Sequence, residues 1–359
     1  MMRNRIKDFK IFKAYANLPR SLSDATHTLD ELSFIILRIY LENGIVGESY
    51  MLSFQYSPKA ILGAIQDMGE LLLGVPVDKT VAAFQRCDQA NEYFGHEGVN
   101  RWSQAAFNIA MYDAWAKCQG IPVWKLLGGT NRKVKLYGSG GWISYSIEEL
   151  LEEVNGYKSR GFQAVKIKVG KPDWKEDLER LRLVREAVGN DIDIMIDANQ
   201  GMDLPDALLL AKKAKELNVY WFEEPINHQH YDGFKLLKEE VGMSLAMGER
   251  EYTSIALREL ARREALDIWQ PDLLRIGGVD QWISSAMLAK TYQIPVLPHF
   301  YKDYDVALLC CISNGAGAES FDWIDPLIDN PIKIEQGYAS PHQGEGWGFS
   351  FKDSCLVEV

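Results

Sequence analysis

The chain of 359 residues is longer than one small domain and suits a large domain joined to a smaller one. With 47% hydrophobic and 25% charged residues it has an ordinary globular balance, which excludes extended disorder and fibrous repeats. A net charge of −11 argues against nucleic acid or an anionic membrane surface as a partner. An anionic substrate would need local positive charge from a metal or a few lysines.

The N-terminal residues MMRNRIKDFKIF lack the unbroken apolar stretch of a signal peptide, and no segment approaches the ~20 apolar residues of a membrane span. Cys87, Cys118, Cys310, Cys311 and Cys355 show no CxxC spacing and read as small hydrophobes in a reducing compartment. A cytoplasmic location is expected. Residues 1–125 read as an α+β capping domain: FKIFKAYANL, then SFIILRIYLENGIVGESYM with a hairpin turn at ENG, then helices over 58–73, 79–94 and 100–118.

Residues 126–329 change rhythm. Eight short apolar runs end in polar or acidic residues: 134–141, 164–170, 192–200, 220–225, 244–250, 265–272, 294–300 and 318–323. Amphipathic helical stretches such as SIEELLEEVNGYKSRG and WKEDLERLRLVREAVG separate the early runs. Strands alternating with helices imply parallel β/α units, and eight of them make an α/β fold of the (β/α)₈ (TIM) barrel type. VALLCCI, holding Cys310 and Cys311, reads as buried helix. The Gly-rich segment 330–359 is too irregular for a barrel unit and is expected to return to the capping domain.

Catalytic groups of such barrels sit where strands end. Those ends present Lys166 and Lys168, Asp197, Glu223 or Glu224, Glu249, Asp272, His299 and Glu319. The step from Asp197 to Glu223 and the step to Glu249 are both 26 residues, about one β/α unit. Three carboxylates sharing one mouth need a cation, and hard oxygen ligands favour Mg²⁺. Strand alternation puts Glu223 and Glu224 on opposite faces, so one alone should be a ligand. Lys166 and Lys168 share a face, and mutual repulsion, helped by a metal, would make one a neutral base near pH 7. Asp272 is placed to orient His299 for acid–base work. Glu319, if protonated, could donate a hydrogen bond to a developing enolate. GSGG (138–141) is not a dinucleotide-binding GxGxxG.

With KIK (166–168), DANQ (197–200), WFEEP (221–225), MGER (247–250), QPDLLRIGG (270–278), PHF (298–300) and Glu319 in this order, the chain resembles the enolase superfamily, mandelate racemase subgroup. The likeness extends from GIVGESY (44–50) through PVWKLLGG (122–129) to the end of the barrel. It implies that Asp197, Glu223 and Glu249 hold Mg²⁺, that Lys168 is one base, and that His299, oriented by Asp272, is the opposite one. It also implies that Lys166, Asn199, Ser139 and Glu319 contact the substrate.

The resemblance points to abstraction of the α-proton of a small hydroxy carboxylate. Dehydration of a sugar acid or tartrate-like diacid to a 2-keto acid (lyase) is favoured. Racemisation or epimerisation of a 2-hydroxy acid (isomerase) is the alternative, and a non-catalytic binding protein is the poorest reading. Cycloisomerisation fits less well, because QPD stands where that branch places a lysine. Loops 22–32 and 51–59 are expected to reach the pocket, with Trp142 as an aromatic wall, and a homo-oligomer is expected by analogy.

Overall fold

The computed structural model describes residues 4–359 apart from 19, 55 and 56, so Gln55 and Tyr56 of the 51–59 loop lie outside the described residues. Strands Ile6–Ala16, Leu32–Leu41 and Val46–Leu52 form an antiparallel sheet, the last two joined at the expected hairpin. Helices Pro58–Leu72, Thr80–Asn91 and Val99–Gln119 follow. The third lies so close to the sheet that a Cβ on Gly47 would stand 2.3 Å from the Ala110 carbonyl oxygen. Only glycine permits that approach.

Seven named parallel strands build the barrel wall: Val134–Gly140, Ala164–Lys168, Asp193–Asp197, Val219–Glu223, Ser244–Met247, Ile268–Trp269 and Ala318–Ser320. The last pairs with the first, Ala318 opposite Leu136, which closes the ring. The run at 294–300 is expected to be a strand, but it forms only isolated bridges, Val296 to Trp269 and Gly315, and His299 to Asp272. Pro295 and Pro298 supply the reason: neither can donate a ladder N–H, so a continuous strand cannot form. The position in the ring is nonetheless filled.

Helices follow each of these wall segments until the eighth, which leads only to the short turn of helix Asp325–Leu327. The helix expected to bury VALLCCI spans Lys302–Leu309 and stops before the two cysteines. It ends there as Thr130 N–H takes the Cys310 carbonyl at 3.0 Å, and Cys311 is only half-buried.

Inside the barrel, Tyr137, Ala164, Met195, Trp221, Ala246, Ile268 and Leu297 form a plug of their own. Period-two alternation then directs the residues two positions further along, Ser139, Lys166, Asp197 and Glu223, toward the same axis, one layer nearer the mouth.

The segment beyond 330 runs under the barrel and back to the cap. Tyr338–Ala339 pairs with the first barrel strand, and Val357–Glu358 adds a strand beside Ile6–Ala16. Buried Asp113 ties three pieces together, accepting from Glu48 N–H at 2.8 Å, Trp347 N–H at 2.9 Å and Lys117 Nζ at 2.5 Å. No helix of the described residues is long and apolar enough to cross a membrane.

Candidate active site

Asp197 and Glu223 end the third and fourth strands, Glu249 lies two residues beyond the fifth, and one oxygen from each lies within 4.8 Å of the others. Asp197 and Glu223 arrive by simple alternation. Glu249 stands three residues past the inward Ala246, an odd step. Gly248 resets the chain at φ +143°, with its Cα against the Gln270 backbone, where a Cβ would come within 2.9 Å.

Glu223 and Glu224 separate cleanly. Glu223 faces the axis, accepting from Lys166 Nζ at 2.8 Å and Gln270 Nε2 at 2.8 Å. Glu224 turns away, its backbone at φ 35°, and accepts from Arg250 Nε at 2.8 Å.

The two lysines are set among the site's carboxylates. Lys166 is 1% exposed and bound between Glu223 at 2.8 Å and Glu319 at 2.7 Å. Burial pulls its pKa down, but Glu223 and Glu319 outweigh that and hold it well above the ordinary lysine value. Lys168 Nζ lies 2.5 Å from Asp197 Oδ2. Burial and the Lys166 cation both lower it, yet Asp197 carries it above the usual range. The expected depression by Lys166 is present, opposed by Asp197, a residue of the carboxylate triad.

Glu319 lies between Lys166 and the Phe300 backbone. Burial raises its carboxyl, Lys166 and His299 bring it below the ordinary range, and it accepts the Phe300 N–H at 2.9 Å.

His299 Nδ1 meets Asp272 Oδ2 at 2.8 Å, while Nε2 lies 3.4 Å from Glu249. Asp272 is itself held by the N–H groups of Leu274 and Arg275, both at 2.9 Å. Burial opposes charge on the imidazole, but Glu249 and then Asp272 raise it to about 9. Asn199 sits at φ 42° with its N–H on Asp197 Oδ1 at 2.8 Å, leaving Oδ1 of its own amide without a partner among the described residues. Ser139, in register with Lys166, is buried with its hydroxyl likewise unpartnered.

The triad fits a hard divalent cation. Its donors are all carboxylate oxygens, with no nitrogen or sulfur among them, as Mg²⁺ prefers. Crowding is visible in Glu223: burial raises its pKa, Lys166 opposes, and Asp197 adds to the rise, leaving it at about 7. A bound cation would relieve that repulsion.

Above these groups a cavity of about 280 Å³ opens between barrel and cap. Lys168, Asn199, Glu249 and His299 reach its wall, whereas Lys166, Asp197, Glu223, Asp272, Glu319 and Ser139 lie beneath it. Lys168 and His299 come from the second and seventh wall positions, so they approach from different sides. Trp142 forms the expected aromatic wall, stacked on Trp323 at 5.6 Å, with Lys168 Nζ 5.5 Å from its ring. The cap contributes Asp24, His27, Leu29 and Leu52. Arg250, Tyr252, Arg275 and Trp102 also line the cavity and escape a reading based on strand-end acids. Their positions, one residue after Glu249 and three after Asp272 in the case of the arginines, are the signal that could have marked them.

A barrel with three carboxylates at consecutive strand ends, capped by an α+β domain, defines an enolase-like metal-dependent architecture. Residues 149–355 match the family described as Enolase C-terminal domain-like, and residues 8–128 match the Mandelate racemase / muconate lactonizing enzyme N-terminal domain. The chain belongs to this family. L-talarate/galactarate dehydratase of Salmonella typhimurium is 28% identical, over 98% of this chain and 90% of its own. Arabinonate dehydratase of Saccharolobus solfataricus is 28% identical, over 91% of this chain and 90% of its own. The crystal structure of L-talarate dehydratase from a Polaromonas species, complexed with Mg and L-glucarate, superposes with a TM-score of 0.91 at 26% identity, covering 99% of both chains.

Proposed function

We propose that this protein is a Mg²⁺-dependent sugar-acid dehydratase, which removes the α-proton of a hydroxy carboxylate and expels the β-hydroxyl as water to give a 2-keto acid. The observation that carries the reading is the placement of Lys168 and His299 on different sides of one cavity, above three carboxylates suited to a divalent cation. The relatives named as dehydratases, and the neighbour holding Mg and L-glucarate, support the same chemistry.

Asp197, Glu223 and Glu249 would hold Mg²⁺, which when bound supplies a Lewis acid for charge developing on the substrate carboxylate. Lys168 in its neutral form accepts the α-proton: burial and Lys166 favour that form, and the Asp197 charge that opposes it would be neutralised once Asp197 holds the cation. Lys166 keeps positive charge beneath the reacting carboxylate, and Glu319 positions Lys166 and the Phe300 backbone. Asn199 and Ser139 each bring a polar atom still free to bond, as substrate contacts require. His299 offers Nε2 to the cavity while Asp272 holds Nδ1–H, so the protonated ring can give its proton to the departing β-hydroxyl. The α-C–H and β-C–O bonds break, water leaves, and the enol product tautomerises to the keto acid. A cytoplasmic homo-oligomer belongs to the same reading.

A panel of acid sugars and simple 2-hydroxy acids, incubated with Mg²⁺ in D₂O, tests this by a keto-acid assay and α-deuterium NMR. Keto acid is the expected product. Deuterated, inverted substrate without keto acid would make the protein a racemase or epimerase instead. Absence of both products throughout the panel would overturn proton abstraction itself.

A further inference from the structure

One positive charge in the cavity wall is left over. Lys168 is matched by Asp197 at 2.5 Å, Arg250 by Glu224 at 2.8 Å, His299 by Asp272 at 2.8 Å, and His27 faces Asp24 at 3.3 Å. Arg275 reaches the same cavity, and its guanidinium has no hydrogen-bond acceptor and no contact-distance ion pair among the described residues; Glu249 feels its charge only at longer range.

Its position is fixed all the same. The Arg275 backbone N–H is held by Asp272 at 2.9 Å, the residue that also orients His299. Its guanidinium carbon lies 5.5 Å from the ring centroid of Trp102, and the buried Trp102 indole N–H lacks an acceptor among the described residues. A fixed cation beside an unsatisfied donor, in a half-enclosed space, is built for an anion. The metal-side charges already suit the carboxylate next to the reacting carbon, so Arg275 calls for a second anionic group on the same ligand.

We propose that Arg275 seats the distal carboxylate of a dicarboxylic sugar acid, making the substrate class an aldarate rather than an aldonate. This rests on the sugar-acid reading above. The guanidinium fork matches a planar carboxylate with two parallel hydrogen bonds, whereas a terminal CH₂OH would leave the charge unmatched. Arg275 is therefore a specificity residue, remote from the proton transfers.

Calorimetric binding of matched six-carbon aldarates and aldonates in the presence of Mg²⁺ tests the assignment, using the wild-type protein, R275K and R275M. The wild type should bind its best aldarate about ten- to a hundredfold more tightly than the matching aldonate, as a charge-assisted pair predicts. In R275M that ratio should fall to near one, with R275K intermediate and circular-dichroism melts reporting that each variant is folded. Wild type without an aldarate preference, or a preference that survives in folded R275M, would overturn the proposal. Should R275M fail to fold, the wild-type and R275K ratios still decide it: the proposal requires a wild-type preference that R275K weakens. Binding also separates the two readings: an Arg275-dependent aldarate preference without α-deuterium exchange leaves Arg275 as assigned and removes the dehydratase.

Discussion

His299 and Asp272 are joined through Nδ1 and Oδ2 at 2.8 Å across neighbouring barrel positions, which are themselves bridged backbone to backbone. The carboxylate selects the tautomer with hydrogen on Nδ1 and helps raise the imidazole to about 9, against the opposing effect of burial.

D272N should therefore lower dehydration by about a hundredfold or more, because an amide can present its N–H and turn the tautomer over. The sign of the pH effect follows from the raised pKa. A role as proton donor is filled below about 9 and lost as pH rises through it. In D272N the alkaline limb of the kcat profile should move to lower pH. An unchanged limb would detach Asp272 from His299 chemistry.

The difference between Glu223 and Glu224 can be read by calorimetry with Mg²⁺. Glu223 faces Lys166 and Gln270, so E223Q should weaken Mg²⁺ binding at least tenfold. Glu224 is turned away from the triad and pairs with Arg250 at 2.8 Å, so an amide there leaves the metal donors in place. E224Q should bind Mg²⁺ within a few-fold of wild type. Equal losses in the two variants would contradict the assignment. A chelator should abolish wild-type activity and added Mg²⁺ restore it.

Lys168 and His299 should fail differently. H299N removes the proton donor for the leaving hydroxyl and should stop keto-acid formation while α-deuterium exchange through Lys168 continues. K168M should stop both. Loss of exchange in H299N with retention in K168M would exchange the two roles.

Much of this site is legible in the chain because strand geometry repeats. Asp197 and Glu223 share a spacing with Glu249, and period two carries Lys166 and Lys168 to one face. Three features are not legible, each for a physical reason. The choice between Glu223 and Glu224 depends on which face Trp221 takes, which only packing of the barrel plug decides. The seventh strand loses its ladder to Pro295 and Pro298, although its apolar pattern reads as a strand. Arg275 lies within QPDLLRIGG, the motif that resemblance ties to Asp272, and its lack of a hydrogen-bond acceptor is visible only in three dimensions.

Cys87, 1% exposed beneath the helices of the cap, gives a prediction remote from the metal. Burial, reinforced by Asp88, pushes its thiol up from the ordinary 9 to about 12. A group whose folded pKa exceeds its unfolded value contributes stability that is complete below the unfolded pKa and is lost as pH rises through the folded one. Between about pH 9 and 12 this thiol alone should lower stability by at most roughly 1.4 kcal/mol per pH unit. At pH 8.5 iodoacetamide should label Cys87 in denatured protein and leave it unlabelled in folded protein, as mapped by peptide mass spectrometry. C87A should make the decline in urea midpoint between pH 9 and 10 shallower. Labelling of folded Cys87 at the denatured rate, or an unchanged decline in C87A, would show that the thiol ionises as freely in the fold as outside it.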